Sequence, residues 1–277
     1  MSLLQIIVLA IIQGITEFLP ISSSGHLILV PALTGWADQG LIMDVAVHAG
    51  TLLAVCIYFW RDVQGLALAG LGSIGIKPAR ARVEGTAYRS LFWAIVIATL
   101  PVVIIGFALK ASGLIDMMRL MWIIGAASII FGILLWVVDR KYDQSKTLDA
   151  MAIKPALIIG MMQILALIPG TSRAGITMTA GRLLGFSRVD SARFSMLLSI
   201  PAILGATVLS VADLIDSGDS LISQQALLAA GLSCLTALAA IHFLMKWLER
   251  ANMTIFVVYR VGLGIILLGL VAMGYGA

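Results

Sequence analysis

Residues 17–27 read EFLPISSSGHL. A glutamate, a proline, three consecutive serines and a histidine follow a stretch that from Leu3 to Ile12 is apolar except at Gln5. An ionised carboxylate at the centre of a bilayer costs several kcal/mol, so such groups are paired, solvated or functional. Whether that cost applies depends on the rest of the chain, and the rest is that of a membrane protein. Of the 277 residues, 61% are hydrophobic and only 12% charged, against about 25% charged in soluble domains; the mean hydropathy is +1.07. The apolar runs are continuous rather than alternating, which indicates helical spans and not a barrel. The net charge of +4 is the Lys/Arg excess of cytoplasmic loops, so no nucleic-acid partner is expected. Cys56 and Cys234 both sit inside apolar runs, which argues against a disulfide framework. The N-terminal MSLLQIIVLA has no basic lead and no small-residue cleavage site, so it reads as mature structure.

Six runs are long enough to span roughly 30 Å of hydrocarbon: 42–60, 91–109, 120–138, 194–212, 226–245 and 255–275. Two other regions are apolar but broken. In 1–34, a short apolar half reaches Gln13, Glu17, Pro20 and the serines, and a second short run, LILVPAL, follows. In 155–186, PALIIGMMQILALI reaches Pro169-Gly170, then TSRAG and another short run. Short half-helices joined by polar Gly/Pro-rich tips read as re-entrant hairpins, which a membrane tolerates only where protein or a water-filled cavity surrounds the tip.

Charge sets the expected orientation. The 61–90 segment carries Arg61, Lys77, Arg80, Arg82 and Arg89, and 139–154 carries Arg140, Lys141, Lys146 and Lys154; both should be cytoplasmic. The 213–225 segment holds three aspartates and no Lys or Arg, and should face outward together with 110–119. Threading the chain through these loops makes the two hairpins enter from opposite faces, each followed by three spans. The predicted fold is therefore an all-α polytopic membrane protein with six spanning helices plus two re-entrant helical hairpins. It forms a single membrane domain built as an inverted-topology repeat, 1–145 and 150–277. PISSSG (20–25) echoes PGTSRAG (169–175), and the plan would bring Glu17 and the serines close to Arg173.

The two tips hold the chemistry. Gln13 lies one helical turn before Glu17, on the same face. Glu17 can hold a cation, act as a base or pair with Arg173. Ser22, Ser23 and Ser24 offer hydroxyls and backbone N–H groups at a helix start, a place that favours phosphate. His26 can carry a proton near neutral pH or attack phosphorus itself. Thr171, Ser172 and the planar guanidinium of Arg173 suit phosphate oxygens. Together these make a phosphoryl-transfer inventory. The ordinary readings are that serines beside Pro and Gly are caps and turns and that a Glu–Arg pair is structural. Concentration outweighs them: Glu17 is the only acidic residue before Asp38, and Arg173 the only basic one between Lys154 and Arg182. Elsewhere, Asp44 and His48 are one turn apart and can line the cavity mouth. His242 and Lys246 are placed near the inner end of a helix, where snorkelling accounts for them. Arg260 is expected at, or just below, the cytoplasmic interface.

QGITEFLPISSSGHL (13–27) and ALIPGTSRAG (166–175) closely resemble the two signature stretches of the bacterial undecaprenyl-diphosphate phosphatases, also called bacitracin-resistance proteins. The resemblance extends to DVAVHAGTLLAV (44–55), FSMLLSIPAILGA (194–206) and the overall length, so it covers essentially the whole chain. It implies hydrolysis of a C55 isoprenyl diphosphate at the outer side of the bacterial cytoplasmic (inner) membrane, recycling lipid carrier for cell-wall synthesis. It places the second acidic position of the first motif on Glu17, the catalytic serine on Ser23 and the histidine on His26, and the serine and arginine of the second motif on Ser172 and Arg173. The first acidic position falls on Gln13, which removes one metal-binding charge. Ser23 and His26 both stand as nucleophiles. A divalent cation, Mg²⁺ or Ca²⁺, is expected to neutralise the polyprenyl diphosphate, with Glu17 as its candidate ligand. The lipid tail would lie in an apolar groove open to membrane lipids, and a homodimer is an open expectation. The rival from another class is a transporter or lipid flippase on the same repeat.

The charge pattern predicts that a membrane-impermeant thiol reagent applied to intact cells labels Ser220→Cys and spares Ala81→Cys. The reverse pattern would overturn the topology and the inverted repeat with it.

Overall fold

The structure, a computed structural model, describes residues 2–36, 40–114, 118, 120–141, 145–217 and 224–275. The centres of the two segments expected to face outward, 115–117 with Arg119 and 218–223, lie outside the described residues. Among the described residues the chain is helical throughout, with one isolated bridge between Lys146 and Phe186. The helices are α1 (Leu3–Thr16), α2 (Ser23–Thr34), α3 (Gly40–Tyr58), α4 (Trp60–Ser73), α5 (Lys77–Val83), α6 (Tyr88–Ala111), α7 (Met121–Lys141), α8 (Ile153–Gln163), α9 (Arg173–Leu183), α10 (Arg188–Ser217), α11 (Gln224–Arg250) and α12 (Thr254–Ala272). Six of them, α3, α6, α7, α10, α11 and α12, are long and apolar enough to cross a membrane, and they coincide with the six predicted runs. Large exposed side chains such as Phe107, Val208, Leu235 and Ile265 lie on these helices, where lipid tails would cover them. The protein is a multi-pass membrane protein.

The 61–90 segment, read from sequence as a loop, holds two further helices, α4 and α5. Asp62 of α4 pairs with Arg193 of α10, whose Nε donates to Asp62 Oδ2 at 3.2 Å. That contact fastens α4 to the bundle.

The breaks in the two shorter pairs have local causes. Pro20 has no N–H to give the carbonyl of Thr16 and its ring would clash there, so α1 stops at Thr16. At 14 residues, and about 1.5 Å per residue, α1 rises only about 21 Å. In the second pair, Pro169 stands in the same relation to Leu165. There α8 ends at Gln163 and tightens into a 3₁₀ turn, Ile164–Leu167. The chain then reverses at Gly170, φ +94°, where a Cβ would lie 2.3 Å from Ile124 O of α7. Only glycine fits, for conformation and for space. Ser22 (φ 71°) and Ser172 (φ 65°) are the only non-glycine residues with positive φ among the described residues. Each directly precedes the first residue of a helix, Ser23 of α2 and Arg173 of α9. The two serines are 150 positions apart (172 − 22), as are the buried amides Gln13 and Gln163 (163 − 13).

Packing holds the tips inside the bundle. α1 lies against α11, and α8 against α6. α3 packs on α11 and α10, and α7 on α12. α9 is enclosed by α7, α8 and α10, and its residues from Ala174 to Arg182 are all buried. Its far end is tied by a saturated ionic clamp. Asp139 Oδ1 accepts from Arg182 Nε at 3.1 Å and Arg188 Nε at 2.7 Å, and Asp139 Oδ2 accepts from the Met253 N–H at 3.1 Å. Arg182 also donates to Phe186 O at 2.7 Å and to Asp139 O at 3.1 Å. One carboxylate therefore joins α7, α9, α10 and the start of α12. Removing one partner of a buried pair leaves the other charge uncompensated. Asp139→Ala is expected to lower stability by about 3 kcal/mol or more, read as a large drop in the thermal midpoint in detergent. Breaking the exposed Lys246–Glu249 pair by Lys246→Ala should change stability by less than about 0.5 kcal/mol. Equal effects would show that the clamp is not what ties these helices.

Candidate active site

Both tips open into one cavity of about 720 Å³, whose wall includes Glu17, Ser22, Ser23, Ser24, Ser172 and Arg173. The N-termini of α2 and α9 both start on this wall, at Ser23 and Arg173. The first N–H groups of a helix have no intrahelical acceptor and sit at the positive end of its dipole. Two such ends converging on one space favour an anion.

Glu17 is the hub. Its Oε1 accepts from Arg173 Nη2 at 3.1 Å, in a pair whose side chains are 10% and 15% exposed. Its Oε2 accepts from Gln13 Nε2 at 2.9 Å and faces Ser23 Oγ at 3.5 Å. Gln13 Nε2 also lies 3.1 Å from His48 Nε2. His48 Nδ1 is 2.7 Å from Asp44 O; a carbonyl only accepts, so Nδ1 carries the proton and Nε2 the lone pair. The Gln13 amide therefore donates one hydrogen to the carboxylate and the other to the imidazole, which fixes its orientation. Its Oε1 is buried with no partner among the described residues.

Arg173 is aimed by its own helix and by α10. Its Nη1 donates to Ser195 O at 3.1 Å, and Ser195 Oγ bonds Thr177 Oγ1 at 2.7 Å one turn along α9. Its Nε–H and its second Nη hydrogens have no protein acceptor among the described residues, so a donor fork remains available. The serines have separate tasks. Ser23 is the one whose hydroxyl faces Glu17. Ser24 Oγ accepts the Gly170 N–H at 3.1 Å, joining the tips directly, and contacts Ser22 Oγ at 3.1 Å. Ser172 caps α9 by accepting the Gly175 N–H at 3.1 Å.

The structure thus brings Gln13, Glu17, Ser22, Ser23, Ser24, His48, Ser172 and Arg173 together. It does not bring His26 or Thr171 to the cavity wall. His26 Nδ1 donates to Ser22 O at 2.8 Å and its Nε2 meets Tyr259 Oη at 2.6 Å, so both ring nitrogens are engaged by protein groups. Thr171 is fully buried and its hydroxyl has no partner among the described residues. Arg260, expected at the cytoplasmic interface, is instead completely buried behind the second tip. Its Nη2 donates to Gly170 O at 3.1 Å and Thr171 O at 2.7 Å. Sequence reasoning missed this because the rest of α12 is almost wholly apolar and the position looked like a helix end. Lys110, the first residue of the 110–119 segment, lies on the cavity wall with Asp44.

The donor set bears on a metal. Among the described residues, no three His, Cys, Asp or Glu side chains gather where a metal ion could be held. Glu17 is one carboxylate on the cavity wall, and Gln13 Oε1 is a buried acceptor with no partner among the described residues. One carboxylate plus neutral oxygens suits Mg²⁺ or Ca²⁺ whose remaining ligands are substrate phosphates and water. It does not suit a resident ion held by protein alone.

A family profile described as bacitracin resistance protein BacA matches residues 6–266. An undecaprenyl-diphosphatase of Ruegeria pomeroyi is 47% identical over 270 residues, covering 98% of this chain and 99% of its own. An undecaprenyl-diphosphatase 2 of Stutzerimonas stutzeri is 50% identical over 272 residues, covering 97% and 98%. An undecaprenyl-diphosphatase of Erythrobacter litoralis is 45% identical over 285 residues, covering 97% and 99%. With its signature stretches converging on one cavity and nearly its whole length matched, the chain belongs to the bacitracin resistance protein BacA family.

Proposed function

We propose that this protein is an undecaprenyl-diphosphate phosphatase of the bacterial cytoplasmic membrane, releasing inorganic phosphate and undecaprenyl phosphate for cell-wall synthesis. The observation that carries this reading is the meeting of Ser23, Glu17 and Arg173 in one cavity, within 3.1–3.5 Å of one another through Glu17. A carrier needs binding groups alone. A nucleophile, a base and a clamp in contact are what phosphoryl transfer needs.

In this reading the terminal phosphate enters between the starts of α2 and α9, and Arg173 turns its fork from Glu17 to the phosphate oxygens. The carboxylate, released from its ion pair, takes the proton of Ser23 Oγ as that oxygen bonds the terminal phosphorus. The bridging P–O bond breaks and undecaprenyl phosphate leaves, taking the proton from Glu17. Glu17 then accepts a proton from the water whose oxygen bonds the phosphoserine phosphorus; the Oγ–P bond breaks, inorganic phosphate leaves and Glu17 returns the proton to Ser23 Oγ. A divalent cation held by Glu17 would supply neutralisation of the diphosphate charge. Leu27, Ile28 and Leu209 on the cavity wall offer an apolar path for the first isoprene units.

The finer architecture belongs to the same reading. Residues 1–145 and 150–277 form inverted repeats whose first pairs, α1–α2 and α8–α9, are re-entrant hairpins. The support is the matched positive-φ serines, the matched buried glutamines, and the packing of α1 on α11 as α8 packs on α6. The cavity opens to the outer side, since Asp44, Lys110 and Ser210 on its wall lie toward the ends of α3, α6 and α10 away from the basic segments.

Purified protein should release phosphate from C55 diphosphate, more slowly when EDTA is present; no release under either condition would sink the reading. Arg173→Lys keeps the charge but loses the planar fork. Its kcat/KM should fall at least ~100-fold, about 2.7 kcal/mol of transition-state stabilisation. Near-normal turnover in a folded Lys variant would remove Arg173 as the clamp.

A further inference from the structure

Tyr259 and Arg260 are consecutive residues of α12, and each reaches one tip from behind. On the first tip, His26 Nδ1 gives its proton to Ser22 O at 2.8 Å, so Nε2 carries the lone pair and Tyr259 Oη–H donates to it at 2.6 Å. The two rings stack, 5.5 Å between centroids and 6° from parallel. On the second tip, Arg260 Nη2 donates to Gly170 O and Thr171 O at 3.1 and 2.7 Å, and Ser128 Oγ of α7 adds a contact to Gly170 O at 3.3 Å. The residues so held are Ser22 itself and the two that precede Ser172. Ser22 and Ser172 are the two positive-φ serines, a conformation that persists only where surroundings over-determine it.

Neither Tyr259, Arg260 nor His26 is on the cavity wall. Arg260 is 0% exposed and no carboxylate pairs with it among the described residues. A lone guanidinium out of water is costly, and packing of α12 on α7 is already supplied by Leu263, Gly264 and Leu267. What Arg260 adds is the grip on two carbonyls. Turning those carbonyls toward α12 leaves the chain after them to present Ser172 and Arg173 to Glu17.

We propose that Tyr259 and Arg260 are positioning residues that form one shared brace, setting the two tips against each other and so fixing the Ser23–Glu17–Arg173 geometry. His26 belongs to this brace and transmits the Tyr259 contact to Ser22. The consequence for turnover rests on the phosphatase reading; the brace itself does not. Displacing a reacting group by about 1 Å can cost about 100-fold in rate, so loss of the brace should act on kcat more than on KM.

The test uses full-length Tyr259→Phe, Arg260→Gln, His26→Gln and the Tyr259→Phe/His26→Gln double variant, followed by hydrogen exchange and by hydrolysis of C55 diphosphate. Tyr259→Phe keeps the ring stack and removes only the hydroxyl, so it remains informative even if Arg260→Gln fails to fold. Expected are faster exchange in peptides covering 18–27 for Tyr259→Phe and 168–176 for Arg260→Gln. The expected kcat loss is about 10-fold or more with KM within about 3-fold. The double variant should be no worse than His26→Gln alone, because the hydroxyl acts through the imidazole. Unchanged exchange at the first tip with native kcat in Tyr259→Phe would overturn the brace. Absence of hydrolysis by the unmutated protein would instead count against the phosphatase reading, and the exchange data would still decide the brace.

Discussion

The contact on which the architecture turns is the ion pair between Glu17 and Arg173, 156 positions apart and 3.1 Å from each other. Either charge alone in an apolar interior would be severely destabilising, and their attraction offsets the desolvation only where further hydrogen bonds help. Gln13 and Ser23 complete the carboxylate, and Ser195 O completes part of the guanidinium. For the pair to form, both short helices must break beside one cavity and both breaks must be enclosed. The packing of α1 on α11, α8 on α6 and α9 within the bundle supplies that enclosure.

Two kinds of buried ion pair coexist in this chain, and their saturation separates them. Asp139 accepts from two arginines and a backbone N–H, while Arg182 beside it also engages two carbonyls. That cluster is closed and holds four chain segments together. Glu17 and Arg173 share a single contact, remain 10% and 15% exposed, and leave guanidinium donors directed at a cavity. An anion of higher charge can compete for such a pair. Its incompleteness is what makes it suited to a phosphate site, where a fully satisfied pair would be inert.

The nucleophile question illustrates how geometry sorts residues of equal chemical promise. A serine and a histidine three positions apart on one helix point to different places. Ser23, the first residue of α2, faces Glu17 across the cavity. His26, almost one turn later, faces α12, with both nitrogens engaged, one by Ser22 O and one by Tyr259.

Much of this was legible in the sequence because it depends on local properties. Length and hydropathy identify spans, so all six long apolar helices fell where continuous runs predicted them. Proline chemistry locates the breaks, since Pro20 and Pro169 each remove a helix hydrogen bond. Isolated charges in apolar surroundings flagged Glu17 and Arg173, and the two motif stretches identified the family. The partners of polar groups were a matter for tertiary structure. α12 reads TIFVVYRVGLGIILLGLVA, apolar on every face apart from Thr254, Tyr259 and Arg260, so no apolar periodicity reveals which side meets the tips. Only the packed bundle turns Tyr259 to His26, 233 positions away, and Arg260 to Thr171, 89 positions away. The same holds for the burial of Thr171 and for the Gln13 amide shared by Glu17 and His48. Hydrophobic burial places a helix by its length and composition, but a hydrogen bond depends on ångströms and on rotational phase. Those are decided when the helices pack.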